Sequence, residues 1–362
     1  MCQACTMTLP DADTEALGDK LVDILNGAGL GLMISVGHRT ELFDAMNGLA
    51  PKTSHEIADA AKLNERYVRE WLGAMVTGGI VNHDPEAMTY WLPDEHAALL
   101  TRAAAPNCFA VTMQWVNVLA SAEDKIVDAF RHGGGLNYAD YNRFNDVMAE
   151  ESGQTVVAAL DDHLLPLDAE LVAKLERGAD VLDLGCGRGR ALLHLAERFP
   201  DSRFTGVDML PSAVDAANAE AIHRGLGNAT FKVGDAAGGV EPDAYDVIFT
   251  FDSVHDQADP EAMLANINRA LRPGGLYFCQ DIKGDSTHAG NMDHPLAPFM
   301  YTISAMHCMS VSLGQGGRGL GAMWGRQVAE KMFAEAGFGS VEVHELEHDP
   351  INYFYLCRHG AA

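Results

Sequence analysis

The chain is short of positive charge: 25 Lys and Arg stand against 51 Asp and Glu, a net charge of −26 over 362 residues. Phosphate backbones and anionic lipids are held by clustered cations, so nucleic acid and membrane surfaces are not expected partners. An uninterrupted apolar run of about 18 residues, the length a bilayer requires, is also missing, so no membrane span is expected. The opening, MCQACTMTLPDADTEALGDK, lacks the charged-then-apolar order of a secretory leader. Cysteines are few, seven at scattered positions, which fits a reduced, cytoplasmic protein better than a disulfide framework. Cys2 and Cys5 form a CxxC, but no second pair follows at zinc-ribbon spacing. No internal repeat or low-complexity run is present.

What remains is enough for sizeable cores, with 48% hydrophobic residues, and long enough for more than one domain. Residues 1–20 read as a poorly ordered lead. A helix is expected over 19–35, weakened by its glycines. HRTELFDAMNGLA follows as a second helix. Thr53 or Ser54 caps a third, HEIADAAKL, and Asn64 caps a fourth, ERYVREWLGAMVTG. IVNHDPEAMTYWL then reads as two short strands about an Asp-Pro turn. Helix, helix-turn-helix and hairpin, in that sequence, is the winged-helix order. We therefore expect a helical, winged-helix-like domain over 1–95, a helical connector over 96–170 covering the mouth of the active site, and a third domain over 171–362.

From residue 179 the pattern changes to alternating strand and helix. Strands are expected at ADVLDLGC, RFTGVD, ATFKVGD, YDVIFTFD, GLYFCQDI, SVEVHEL and INYFYLCR. Several are continuous apolar runs, as strands covered on both faces should be. The fold class is α/β, a seven-stranded, doubly wound Rossmann-like sheet. Too few residues join the last two strands for a parallel crossover, so the final strand is antiparallel.

The chemistry is concentrated at the strand ends. Asp183-Leu-Gly185-Cys186-Gly187-Arg-Gly189 runs from strand through a Gly-rich turn into helix, where glycines let backbone approach a ligand closely. Asp208 ends the second strand, placed to accept hydrogen bonds from two ribose hydroxyls, with Met209 following. Asp235 and Ala236 end the third, placed for an adenine amino group, and Phe251 and Asp252 end the fourth. Ligands of open α/β sheets bind at these carboxyl ends. Four such ends in order resemble the class I S-adenosylmethionine (SAM) methyltransferases, with Asp183 to Gly189 as the first motif. By that likeness Asp208 holds the ribose, Asp235 faces the adenine and the turn cradles the methionine part. A nicotinamide dehydrogenase would show GxGxxG, whereas here Gly189 is followed by Arg190-Ala191.

Just past the fourth strand, His255 stands beside Asp256, with Asp252 three residues before it. A histidine at a strand end can act as general base. The segment is similar to the His-Asp of plant-type small-molecule O-methyltransferases, whose His removes the acceptor's proton. Asp256 is expected to raise its basicity or hold the ring, with Asp252 as competing orienter. Imidazole suits deprotonation of either a thiol or a hydroxyl, so O- and S-methylation both stay open.

Beyond the fifth strand, a block rich in Met and aromatics holds Tyr301, His307 and Trp324. These, with Tyr141 and Phe144 of the connector, are candidates for the acceptor pocket. A zinc site at His294, His307 and Cys308 has no supporting spacing, and methyl transfer needs no metal. EWLGAMVTGGIV, YTISAMHCMSVSLGQGG and GLGAMWG resemble a bacterial methyltransferase family with an N-terminal winged helix. The resemblance implies SAM as cofactor, a cytosolic location and a homodimer, with a small-molecule methyl acceptor as partner. In the would-be recognition helix Arg66 and Arg69 are offset by Glu65 and Glu70, and residues 1–100 sum to about −9 (6 basic minus 15 acidic). The front domain is therefore expected to dimerise and to cover the acceptor pocket rather than read DNA. A SAM-sensing protein without turnover is the alternative.

Overall fold

The computed structural model describes residues 12–360, which divide into two compact units after Asn117. Cys2 and Cys5 lie outside the described residues.

The first unit is built on α1 (Ala12–Arg39), α2 (Leu42–Met46), α3 (Ser54–Ala61) and α4 (Glu65–Thr77), followed by a hairpin of β1 (Asn82–Asp84) and β2 (Thr89–Trp91). Thr53 caps α3 with a full capping box: its Oγ accepts from Glu56 N, and Glu56 accepts from Thr53 N. Asn64 caps α4 through Arg66 N at 3.0 Å. The hairpin turns where Asp84 Oδ1 accepts from the backbone of Glu86 and Ala87. Val68, Trp71, Leu72 and Met75 put one face of α4 into the core, and Trp71 Nε1 donates to Met33 O of α1 at 2.8 Å. The outer face of α4 carries the ion pairs Arg66–Glu70 and Arg69–Glu65.

The expectation for α1 is corrected: it starts at Ala12, not at Asp19, and runs through its glycines. Tertiary packing of its C-terminal part overrides propensity there. By length and composition, Asp13–Arg39 would also pass as a bilayer span. Its run is interrupted by Asp19, Lys20 and Asp23, and its last turns are buried in the unit, at Ile34, Ser35 and His38.

The second unit holds a seven-stranded sheet. Its strands are β3 (Asp180–Leu184), β4 (Arg203–Asp208), β5 (Ala229–Val233), β6 (Tyr245–Phe251), β7 (Leu271–Ile282), β8 (Phe338–Leu346) and β9 (Asp349–His359). The order across the sheet is β5-β4-β3-β6-β7-β9-β8. Strands β3 to β7 are parallel, and β9 enters antiparallel to both neighbours. Alternation explains its two-sided core. Val181, Val247, Phe249 and Phe278 face one side, against Leu192, Leu193 and Leu195 of the helix after β3. Leu182, Ile248, Tyr277 and Cys279 face the other, against Met263, Leu264, Met332 and Phe333. Each buried Leu or Phe contributes roughly 1.5–3 kcal/mol.

Within the connector expected over 96–170, the pattern of YADYNRFNDVMAEESGQTVVAALDDHLLP reads as one helix up to Pro166, but the structure breaks it. A 3-10 turn (Tyr138–Asp140) and a helix (Phe144–Thr155) are followed from Val157 by short 3-10 and π turns.

Candidate active site

The tips of β3, β4, β5 and β6 open into one cavity. Asp183, Asp208, Asp235 and Asp252 all line it, with Gly185, Cys186, Gly187, Met209, Ala236 and Phe251. The turn after β3 depends on its glycines. A Cβ on Gly185, at φ 79°, would stand 2.6 Å from Ser253 Cβ, and one on Gly189, at φ 67°, would stand 2.2 Å from the Phe231 ring. Asp208 ties the turn to its own strand end: Gly187 N donates to Oδ2 and Leu210 N to Oδ1, both at 2.8 Å. Asp235, exposed at the rim, accepts from Ala237 N at 2.9 Å.

The cavity floor is an unusual electrostatic environment. Asp183 is buried, its Oδ1 meets no hydrogen-bond donor, and burial together with nearby Asp208 lifts its pKa from 3.8 to about 8. Burial also raises Asp208, against the two backbone N–H groups that lower it. Asp252 has a left-handed φ of 51°, a conformation that costs free energy in a non-glycine residue. Its Oδ1 lacks a hydrogen-bond donor, and burial, then Asp281, hold its carboxyl well above the usual range. Carboxylates buried without donors are costly unless a cationic or hydrogen-bonding ligand meets them.

His255 follows β6 and is 4% exposed. Its Nδ1 lies 2.7 Å from Asp281 Oδ1, at the end of β7. This corrects the expectation that Asp256 or Asp252 holds the ring. Asp281 itself also accepts from Trp324 Nε1 at 3.0 Å and from Ile282 N at 2.8 Å. Burial pulls the His255 pKa down, but Asp281 and Cys308 outweigh it and hold the imidazole well above its ordinary value. Asp256 instead accepts from Tyr138 Oη at 2.6 Å and Gln257 Nε2 at 3.3 Å. Tyr138 and Asp256 line the cavity, whereas His255 is not among its wall residues.

The remaining candidates separate into three places. Phe144 lines the cavity and stacks on His307, ring centroids 4.4 Å apart, with Tyr141 and Tyr138 edge-on to the same ring. Burial, then His255, brings His307 down to about 3, so at neutral pH it is an uncharged ring in an aromatic cluster. Tyr141 Oη donates to Met306 O at 2.5 Å and borders a shallower depression beside the cavity. Tyr301 lies away from both, accepting from Asn291 Nδ2 at 3.0 Å and packing on His288. Trp324 is buried and acts on the site through Asp281. His294 Nδ1 accepts from Leu296 N, facing its own backbone.

Sequence reasoning missed Asp281 and Tyr138. Asp281 was within reach of the same strand-end rule that found Asp183, Asp208 and Asp252, since it closes the apolar run GLYFCQDI. Tyr138 has no such signal, because nothing in its spacing points to Asp256, far along the chain.

Residues 28–102 match the family model of the Rv2258c-like winged HTH domain, and residues 175–337 match that of a methyltransferase domain. The chain thus couples a winged helix-turn-helix domain to a methyltransferase domain. Nocamycin O-methyltransferase of Saccharothrix syringae is 40% identical over 100 residues, 27% of this chain and 36% of that protein. Trans-aconitate 2-methyltransferase of Methylobacterium radiotolerans is 29% identical over 154 residues, 42% of this chain and 52% of that one. These alignments span between about a third and a half of the curated relatives. Among solved structures, human N-acetylserotonin methyltransferase in complex with SAM superposes with a TM-score of 0.68 at 16% identity, over 98% of this chain and 99% of the other. At that identity the likeness speaks for the fold.

Proposed function

We propose that this protein transfers a methyl group from SAM to an oxygen nucleophile of a small molecule, with sulfur as a second acceptor class its chemistry permits. One observation carries the reading: Asp183, Asp208, Asp235 and Asp252 come from four strand tips into one cavity, and two of them keep buried oxygens without donors. That set fits SAM. Asp208 would hold the ribose hydroxyls, Asp235 and Ala236 the adenine, and Asp183 with the Gly185–Gly189 turn the methionyl ammonium. When bound, SAM supplies a methyl group on a sulfonium, open to in-line attack. The protein's own part is to align the acceptor, which lowers the barrier by up to roughly 7–11 kcal/mol, and to take its proton.

His255 is our choice for that proton. Asp281 fixes Nδ1, which leaves Nε2 as the proton-accepting atom. Because His255 is off the cavity wall, this role requires the acceptor to reach past the residues that line the cavity. The same observation favours one second reading, SAM binding without turnover. Screening small phenols, hydroxy acids and thiols for S-adenosylhomocysteine release decides between them. Turnover with a hydroxy compound that drops about 10²–10⁴-fold in His255→Ala, with SAM affinity unchanged, supports the base. Undiminished turnover in that variant removes it, and no turnover with any acceptor favours the sensor.

We also assign homodimerisation to α1. Its N-terminal part leaves Leu17, Leu21, Val22, Ile24 and Leu25 exposed, a contiguous apolar surface that a soluble chain covers by association.

A further inference from the structure

The cavity walls carry six Asp side chains and two guanidinium groups, Arg188 and Arg190. A sulfonium and an ammonium suit those carboxylates, but the single carboxylate of an amino-acid arm is repelled by them and needs a cation of its own. Arg188 is already engaged, its Nη2 donating to Asp146 Oδ1 at 2.7 Å. Arg190 forms no hydrogen bond or ion pair among the described residues. It opens the helix Arg190–Arg198 directly after the Gly-rich turn. Its guanidinium lies over Gly153, in the helix Phe144–Thr155: a Cβ there would stand 2.9 Å from Arg190 Nη1. Glycine inside a helix costs stability relative to alanine, and here the missing side chain leaves the notch that the guanidinium fills. Ser152 and Met148 of that helix line the cavity beside it. Burial, then the adjoining Arg188, disfavours the charge on Arg190; Arg224 adds to this, while Glu150 and Glu220 favour it. A bound anion would relieve that imbalance.

We propose that Arg190, seated against Gly153, binds the carboxylate of the cofactor's methionyl arm, and that Gly153 is free of a side chain so that the guanidinium reaches it. The inference rests on SAM being the cofactor. A charge-assisted pair at a partly exposed site is expected to change affinity by about tenfold.

The test is calorimetric titration of the full chain with SAM and with its decarboxylated form, which keeps sulfonium and ammonium but lacks the carboxylate. Arg190→Ala is expected to bind SAM about tenfold more weakly and decarboxylated SAM as well as the parent or slightly better. Gly153→Ala, a substitution the helix favours, should weaken SAM in the same direction by displacing the guanidinium. Equal losses for both ligands, unchanged SAM affinity in Arg190→Ala, or a selective loss that follows Arg188→Ala instead, each overturns the assignment. A parent protein that binds neither ligand overturns the cofactor reading itself, an outcome distinct from all of these.

Discussion

Asp183 occupies a position whose free-energy cost a bound cation would remove. An unfolded chain releases an aspartate proton near 3.9, whereas the folded protein holds this one up to about 8. Stability contributed by the protonated form is therefore lost progressively as pH rises from about 4 to 8. Asp183→Asn removes that dependence: its thermal midpoint should exceed the parent's at pH 8 and match it near pH 4. The same variant should bind SAM more weakly, and the parent should release a proton on binding at pH 7, read as heat that changes with the buffer's ionisation enthalpy. A midpoint that tracks the parent at both pH values contradicts the shift. His255 obeys the same sign in a higher pH window. Its raised pKa gives stability present below about 6.5 and lost as pH rises through the higher folded value, and a base so poised is active only above that value. Asp281→Asn should move the rising limb of kcat/KM to lower pH while lowering kcat. Residues of this kind were legible where a strand end announced them. Asp208 and Asp183 close apolar runs, so their position at the sheet's carboxyl edge followed from the pattern. Partners chosen across the fold, such as Tyr138 for Asp256, leave no local trace.

The elements were easier to read than the residues. Strands buried on both faces show as continuous apolar runs, and β3, β6 and β7 do so because helices cover both sides of the sheet. Caps at Thr53 and Asn64 fixed the starts of α3 and α4, since each has a side-chain acceptor where the helix needs one. Helix α1 was under-read because its glycines lower propensity while Trp71 and its neighbours hold the C-terminal part from outside. The exposed part of α1 carries a prediction at this scale. Replacing Leu21 and Leu25, 56% and 73% exposed, by glutamate should convert a dimer to a monomer in sedimentation. A parent that sediments as a monomer at micromolar concentration contradicts the assignment of that face. Leu192, wholly buried against the sheet, tests the core itself: Leu192→Ala should cost about 2–5 kcal/mol in denaturant unfolding.

At the scale of the whole chain, charge and topology point the same way. A net charge of −26 and a helix α4 whose arginines are paired leave little to attract phosphate. We propose that the winged-helix unit serves this protein without reading DNA, so added duplex should leave its anisotropy unchanged at moderate salt. What the molecule does depends on whether the tips of β3 to β6 take up an adenosyl sulfonium. The most direct measurement is the heat of titrating S-adenosylhomocysteine into the full chain and into Asp208→Ala. We predict saturable binding at one site per chain in the parent, weakened at least tenfold in the variant, which lacks the carboxylate we propose as acceptor for the ribose hydroxyls. No heat in the parent, or equal affinity in both proteins, would contradict the account.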